Sequence, residues 1–225
     1  MSKIPPIEYG KYYHIYNKGI NDQNIFLDND DYKHFLNLVS IFLGPVAEIF
    51  AYVLMGNHFH FALHIKDEYE IGYLNPQYAQ SEDLYLKWKA FFPKNNDEKQ
   101  QNGFWKKPVP VKMLQHLFET YAKGFNSKYS RNGSLFIRPF KRINIETEIY
   151  MKRLILYIHN NPIKHEFCEK ANDYPWSSYL SLLSIKPTKL AREIVIEWYD
   201  NKTNFISLHQ KGDDFDDIKN LFIED

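Results

Sequence analysis

Residues 46–65, VAEIFAYVLMGNHFHFALHI, form two runs of β-forming residues joined at Gly56-Asn57. A Gly-Asn dipeptide between apolar runs is a tight-turn signal, so the segment predicts a hairpin with strands at 46–55 and 58–65. An antiparallel sheet follows. Within the second strand, His58 and His60 share one face and Phe59 and Phe61 the other. Burying an imidazole without a partner costs ~1–3 kcal/mol. The two rings, about 7 Å apart along a strand, therefore either form a satisfied core pair or converge on a common metal ion.

The remaining elements fit around this hairpin. KYYHIYNKGI (11–20) alternates and predicts a first strand, and Asp28 caps a helix whose apolar residues at 35, 36, 38, 39, 42 and 43 end at Gly44-Pro45. Residues 66–105 are polar with scattered aromatics and no clean period, which marks an insertion with one short helix near 82–92. A helix resumes at Val109 and runs to the SRNGS breaker at 130–134. The basic stretch SLFIRPFKRINI predicts a fourth strand, with Pro139 at an edge or bulge. A further helix, 146–161, is amphipathic, directs Ile149, Leu154, Ile155 and Ile158 inward and stops at Pro162. The acidic end KGDDFDDIKNLFIED suggests a last short helix. The order β-α-β-β-(insertion)-α-β-α predicts an α+β layer with helices on one face of an antiparallel sheet.

With 225 residues the chain can bury a real core, and 44% hydrophobic with 17% aromatic residues is a globular composition. Cys168 is the only cysteine. An intrachain disulfide and cysteine-rich zinc sites are excluded, which fits a reducing cytoplasm. MSKIPPIEYG lacks the apolar core of a signal peptide, and the apolar stretch from Val39 to Met55 is broken by Gly44-Pro45 and Glu48, so no membrane span is expected. The net charge is zero, yet residues 106–165 carry twelve Lys/Arg against three Glu. That basic middle suggests a local anion-binding surface.

Chemistry concentrates in the 146–161 helix. Tyr157 and Asn161 are four apart and share a helix face. The same helix carries Lys152 and Arg153, and the basic strand carries Arg138, Lys141 and Arg142. Neutral imidazoles and an amide oxygen bind a borderline or hard divalent ion. With a phenol beside them and cations for phosphates, they make up a phosphodiester-cleaving site. His64 and His159 are competing ligands, and the rings of Trp105, Phe136 and Phe140 suit either base stacking or the core.

In chain order, YYHIYNKG, AYVLMGNHFHFALHI, GSLFIRPFKR, YIHNNPIKH and WSSY resemble the REP-associated tyrosine transposases, in the single-tyrosine branch of the HUH endonucleases. The likeness covers most of 9–65 and 108–183 and implies a ferredoxin-like sheet. It also implies that His58 and His60 bind Mg²⁺ or Mn²⁺, and that Tyr157 nicks single-stranded DNA to leave a 5′-phosphotyrosine and a free 3′-OH. Family members carry a polar third ligand one turn after the tyrosine, often Gln; here that position is Asn161. Family substrates are palindromic repeats that fold into hairpins, cut and rejoined in DNA transposition and recombination by monomers or homodimers. The resulting expectation is an HUH core at 1–165, interrupted at about 66–105, with a C-terminal helical extension at 166–225. Two readings compete with transposase-like chemistry: a non-catalytic DNA-binding protein that keeps the fold, and a phosphohydrolase that uses water.

Overall fold

The computed structural model describes residues 6–93 and 105–211. Four strands, β1 (Tyr12–Lys18), β2 (Ala47–Leu54), β3 (His58–Ile65) and β6 (Lys141–Ile145), form one sheet in the order β2-β3-β1-β6. Every pairing is antiparallel. The long helices are α1 (Asn29–Leu43), α3 (Pro110–Lys128) and α4 (Glu148–Lys164). This is the expected α+β, ferredoxin-like arrangement: each βα unit crosses over one intervening strand, and β2 and β3 are the hairpin turned at residues 55–57.

The alternation of β1 and β3 divides the side chains. Tyr13, Ile15 and Asn17 lie across from Leu63, Phe61 and Phe59 on one face, while His14, Tyr16 and Lys18 lie across from Ala62, His60 and His58 on the other. A register irregularity between Ile49 and Ala51 shifts β2 so that Ala51 and Val53 join the histidine face. On the phenylalanine face α1 and α3 bury Phe35, Leu38, Leu117 and Tyr121 against the sheet. The histidine face is covered too. Ala51, Val53 and Ala62 make it apolar, and α4 packs Leu154, Ile155 and Ile158 against it. The helices are thus divided between two faces rather than confined to one, because both faces carry apolar area that must leave water.

Helix α4 also departs from its expected bounds. Leu154, Ile155 and Ile158 are fully buried, but Ile149 is 73% exposed. Pro162 does not end the helix, which continues to Lys164. A proline in the last turn removes only one N–H donor, and His165 N–H still bonds to the Asn161 carbonyl at 3.1 Å.

The α1 terminus is built as expected. Asp28 accepts the N–H groups of Asp30 and Asp31, and Asp31 reaches back to the Asp28 N–H. Lys128 of α3 then sits 2.8 Å from both carboxylates and locks α3 to α1. Hydrogen bonding by Lys128, followed by the Asp31 N–H, holds the Asp28 carboxyl down to about 2 from an ordinary 3.8. A carboxyl depressed on folding stabilises above its unfolded value and loses that contribution as pH falls through the folded one. Lys128→Met should therefore melt below the wild type at pH 6, with the gap narrowing between pH 4 and 2. A gap independent of pH in thermal melts would contradict this.

Within the insertion, α2 (Leu84–Trp88) stands beside a two-residue pair, β4 (Tyr73–Leu74) with β5 (Ala90–Phe91). After α4 the chain forms α5 (Tyr179–Leu183), α6 (Arg192–Trp198) and α7 (Lys202–Lys211). Tyr179, Leu182, Val195, Tyr199 and Phe205 join the α4 core. The Tyr52, Leu54 and Ile49 backbones on edge strand β2 bond to Ser178, Trp176 and Ala191, so the extension also covers that edge. Residues 94–104 and the acidic 212–225 segment, with its expected helix, lie outside the described residues.

Candidate functional site

Three elements bring the candidate residues together. β1 and β3 present His14, His58 and His60 on one face, and α4 lies across that face. The Tyr157 ring meets His60 edge-on with centroids 5.6 Å apart, and meets His14 at 6.4 Å. One turn later, Asn161 Oδ1 is 3.2 Å from His58 Nε2. His60, Tyr157 and Asn161 are all buried, while His58 is half-buried. The four residues singled out in the sequence, His58, His60, Tyr157 and Asn161, therefore meet at one place.

Hydrogen bonding fixes what each ring can offer. His58 Nδ1 lies 2.7 Å from Asn57 Oδ1 and its Nε2 3.2 Å from Asn161 Oδ1; both oxygens are acceptors and a neutral ring can donate to only one, the shorter contact favouring the proton on Nδ1. Nε2 of a neutral His58 then points a lone pair at the Asn161 oxygen, another lone pair. Two acceptors face each other across a gap that suits a cation, either a second proton on the ring or a metal ion. His60 Nδ1 contacts His14 Nε2 at 2.9 Å. His60 Nε2 is buried with no hydrogen-bond partner among the described residues. Burial, then the positive potential of His14, His58, His165 and Lys164, holds the His60 pKa well below its ordinary value, so the ring is neutral. In the tautomer that donates Nδ1–H to His14, the one a metal ligand at this ring requires, its Nε2 has an open lone pair.

Two imidazole nitrogens and an amide oxygen fit a borderline or hard divalent ion that keeps its remaining positions for water or phosphate. Among the described residues no group of three or more His, Cys, Asp or Glu gathers to hold a metal. Any such centre here depends on the amide as its third protein ligand.

His14 was missed in the sequence. Its only signal is its parity with Tyr12 and Tyr16 on β1; its place beside His60 depends on a strand pairing 46 residues away. Lys164 and His165 were missed as well. The Lys164 ammonium lies 5.8 Å from the Tyr157 ring centre, and the His165 ring 5.4 Å from that of His58. The competing histidines sit elsewhere. His64 is at the far end of β3, 3.2 Å from Glu48 and stacked on Tyr12. His159 points away from Tyr157 and bonds His209 and Ser178.

The basic residues do not form one surface. Lys141 lies across from Tyr16 on the histidine face, whereas Arg142 lies across from Ile15 on the other. Arg138 and Arg142 line a cavity of about 670 Å³ on that second face. Arg153 is one turn before Tyr157 on the same side of α4, and Lys152 pairs with Glu148 at 2.7 Å. Phe136 and Phe140 are buried, as core packing requires, and Trp105 packs edge-on to Phe91. A second cavity, of about 920 Å³, opens beside Tyr157 and Asn161 between α4 and α7. No helix among the described residues is long and apolar enough to cross a membrane.

No protein-family model matches the chain, and no curated protein matches it. Among solved structures, it is similar to a REP-associated tyrosine transposase bound to a REP hairpin, with a TM-score of 0.52 and 14% identity over 85% of this chain and 92% of that one. The chain shares the fold of that transposase.

Proposed function

We propose that this chain is a transposase-like enzyme that nicks and rejoins single-stranded DNA at hairpins through a covalent 5′-phosphotyrosine on Tyr157, with Mg²⁺ or Mn²⁺ held by His58, His60 and Asn161. The meeting of Tyr157 with that donor set carries the reading. The shared fold with a hairpin-bound tyrosine transposase supports it. Residues 1–165 then serve as the catalytic core and 166–225 as an extension, of which the described part, 166–211, braces α4.

The reaction balances simply. The Tyr157 oxygen forms a bond to phosphorus, the bond from phosphorus to the 3′ oxygen breaks, and the phenol proton leaves to solvent or base. The 3′-OH so released, or another, attacks the phosphotyrosine in reverse to reseal a strand. Because bond energy is conserved in the ester, rejoining needs no nucleotide cofactor. An ordinary phenol, with pKa near 10, is ionised about one part in a thousand at neutral pH, so the attacking oxygen must lose its proton as the bond to phosphorus forms; the Lys164 ammonium, 5.8 Å from the ring centre, adds positive charge beside it. When bound, the divalent ion supplies Lewis-acid polarisation of a phosphate oxygen and offsets charge growing in the transition state. Arg153 and Lys141 lie where phosphates flanking the scissile bond would pass; Arg138, Arg142 and Lys152 contact more distant ones.

The test is covalent capture. Protein incubated with a labelled DNA hairpin bearing a single-stranded flank should give a denaturation-resistant adduct with Mg²⁺ or Mn²⁺ and none in chelator. Hairpin binding without an adduct under any divalent ion would favour the non-catalytic reading. Nicked product without a trapped protein would favour hydrolysis by water.

His14 acts behind the site. A histidine ligand is oriented by the partner of its other ring nitrogen, and loss of such a partner typically costs 10–100-fold in metal affinity. His14→Phe keeps an aromatic ring in the stack but removes the acceptor for His60 Nδ1–H. Calorimetric titration with Mn²⁺ should show affinity weakened by about that factor, with hairpin binding retained. Unchanged Mn²⁺ affinity would remove His14 from this role.

A further inference from the structure

On the sheet face opposite the histidines lies the cavity of about 670 Å³ between α3 and the 133–140 segment, lined in part by Arg138 and Arg142, the residues proposed above for distant phosphates. We propose that it is a nucleotide subsite, holding one unpaired nucleotide of the DNA strand that flanks the hairpin; the inference rests on the hairpin-nicking reading.

Its walls match the parts of a nucleotide. Cations line it on two sides: Lys123 from α3, and Arg138 and Arg142 from the segment that becomes β6, against the single carboxylate of Glu119. That excess of positive charge suits a phosphodiester. The ring of Phe140 is buried at the cavity wall and backs the Arg142 guanidinium, which stands 5.2 Å from its centre; that half-exposed guanidinium plane is the surface that suits a base face. Amides supply edges to read. Asn17 is 5% exposed and its Oδ1 accepts the Lys18 N–H at 2.9 Å, which leaves its NH₂ group as the donor to a ligand. Gln115, exposed on α3, adds a donor and an acceptor. A peptide carboxylate would use the cations and leave the ring and amides idle; an unpaired nucleotide engages all three.

Position links the cavity to the site. Asn17 precedes Lys18, which lies across from His58 on the other face. The 133–140 segment runs directly into β6, where Lys141 is on the histidine face and Arg142 on the cavity face. A strand leaving the cavity therefore rounds the start of β6 with a cation on each side of the sheet, and arrives at the histidines.

The experiment is carried out with Tyr157→Phe protein, so that no cleavage intervenes, and reads binding of a blunt DNA hairpin and of the same hairpin with a short single-stranded flank. The flank should raise affinity about tenfold, within the range for one stacked base. Gln115→Ala combined with Lys123→Ala, both exposed on α3, should erase that gain and leave blunt-hairpin affinity within about twofold. A flank that gives no gain, or a gain that survives the double substitution, overturns the subsite while the hairpin reading stands. Equal losses on both DNAs overturn it also. Failure of the parent protein to bind either hairpin overturns the underlying reading as well.

Discussion

Under the proposed mechanism, Tyr157→Phe should abolish covalent capture of DNA, by ~10³-fold or more, while hairpin binding should stay within about twofold. The substitution removes one oxygen and nothing else. The phenyl ring keeps its edge-on contacts with His60 and His14, at 5.6 and 6.4 Å in the wild type, so the histidine pair and the packing of α4 stay in place. Denaturing gels with labelled hairpin read the adduct, and anisotropy reads binding. Adduct formation at the wild-type rate would place the nucleophile elsewhere; loss of binding and adduct together would make Tyr157 structural.

His58→Ala and His60→Ala each remove a proposed ligand nitrogen and should abolish the adduct across added Mg²⁺ and Mn²⁺, with Mn²⁺ affinity reduced by more than ~100-fold, beyond what loss of an outer partner costs. The two variants differ in stability. His58 is half-buried and its loss exposes little. His60 is buried against His14, so its truncation leaves a void and an unmet imidazole worth ~1–3 kcal/mol of destabilisation. His58→Ala is therefore the cleaner variant. Its full activity in chelator would contradict a metal role, whereas a lowered melting temperature shared by both variants would show only a structural one.

The hairpin was readable because Gly56-Asn57 and the period-2 pattern fix both the turn and the face shared by His58 and His60. The helix face shared by Tyr157 and Asn161 followed in the same way from a spacing of four. Periodicity says which residues share a face, but not what lies opposite. The pairing of β1 with β3 spans some 45 residues, so the place of His14 behind His60 emerges only with the fold. For the same reason the pattern did not reveal that α4 covers the histidine face while α1 and α3 cover the other. Pro162 misled in a specific way. Read as a stop, it left Lys164 and His165 in a loop; in fact the helix runs one more turn and brings Lys164 against the Tyr157 ring. The basic stretch likewise reads as one surface until strand alternation sends Lys141 and Arg142 to opposite sides.

The most direct measurement is to find where the DNA becomes attached. Wild-type protein is incubated with a hairpin oligonucleotide and Mn²⁺, digested with protease and nuclease, and its tyrosine-containing peptides are mapped by mass spectrometry. A nucleotide-phosphate mass on Tyr157, absent in chelator, is the predicted result. The same mass on another of the tyrosines, or its appearance without divalent ion, would contradict a centre built where α4 meets the histidine strand.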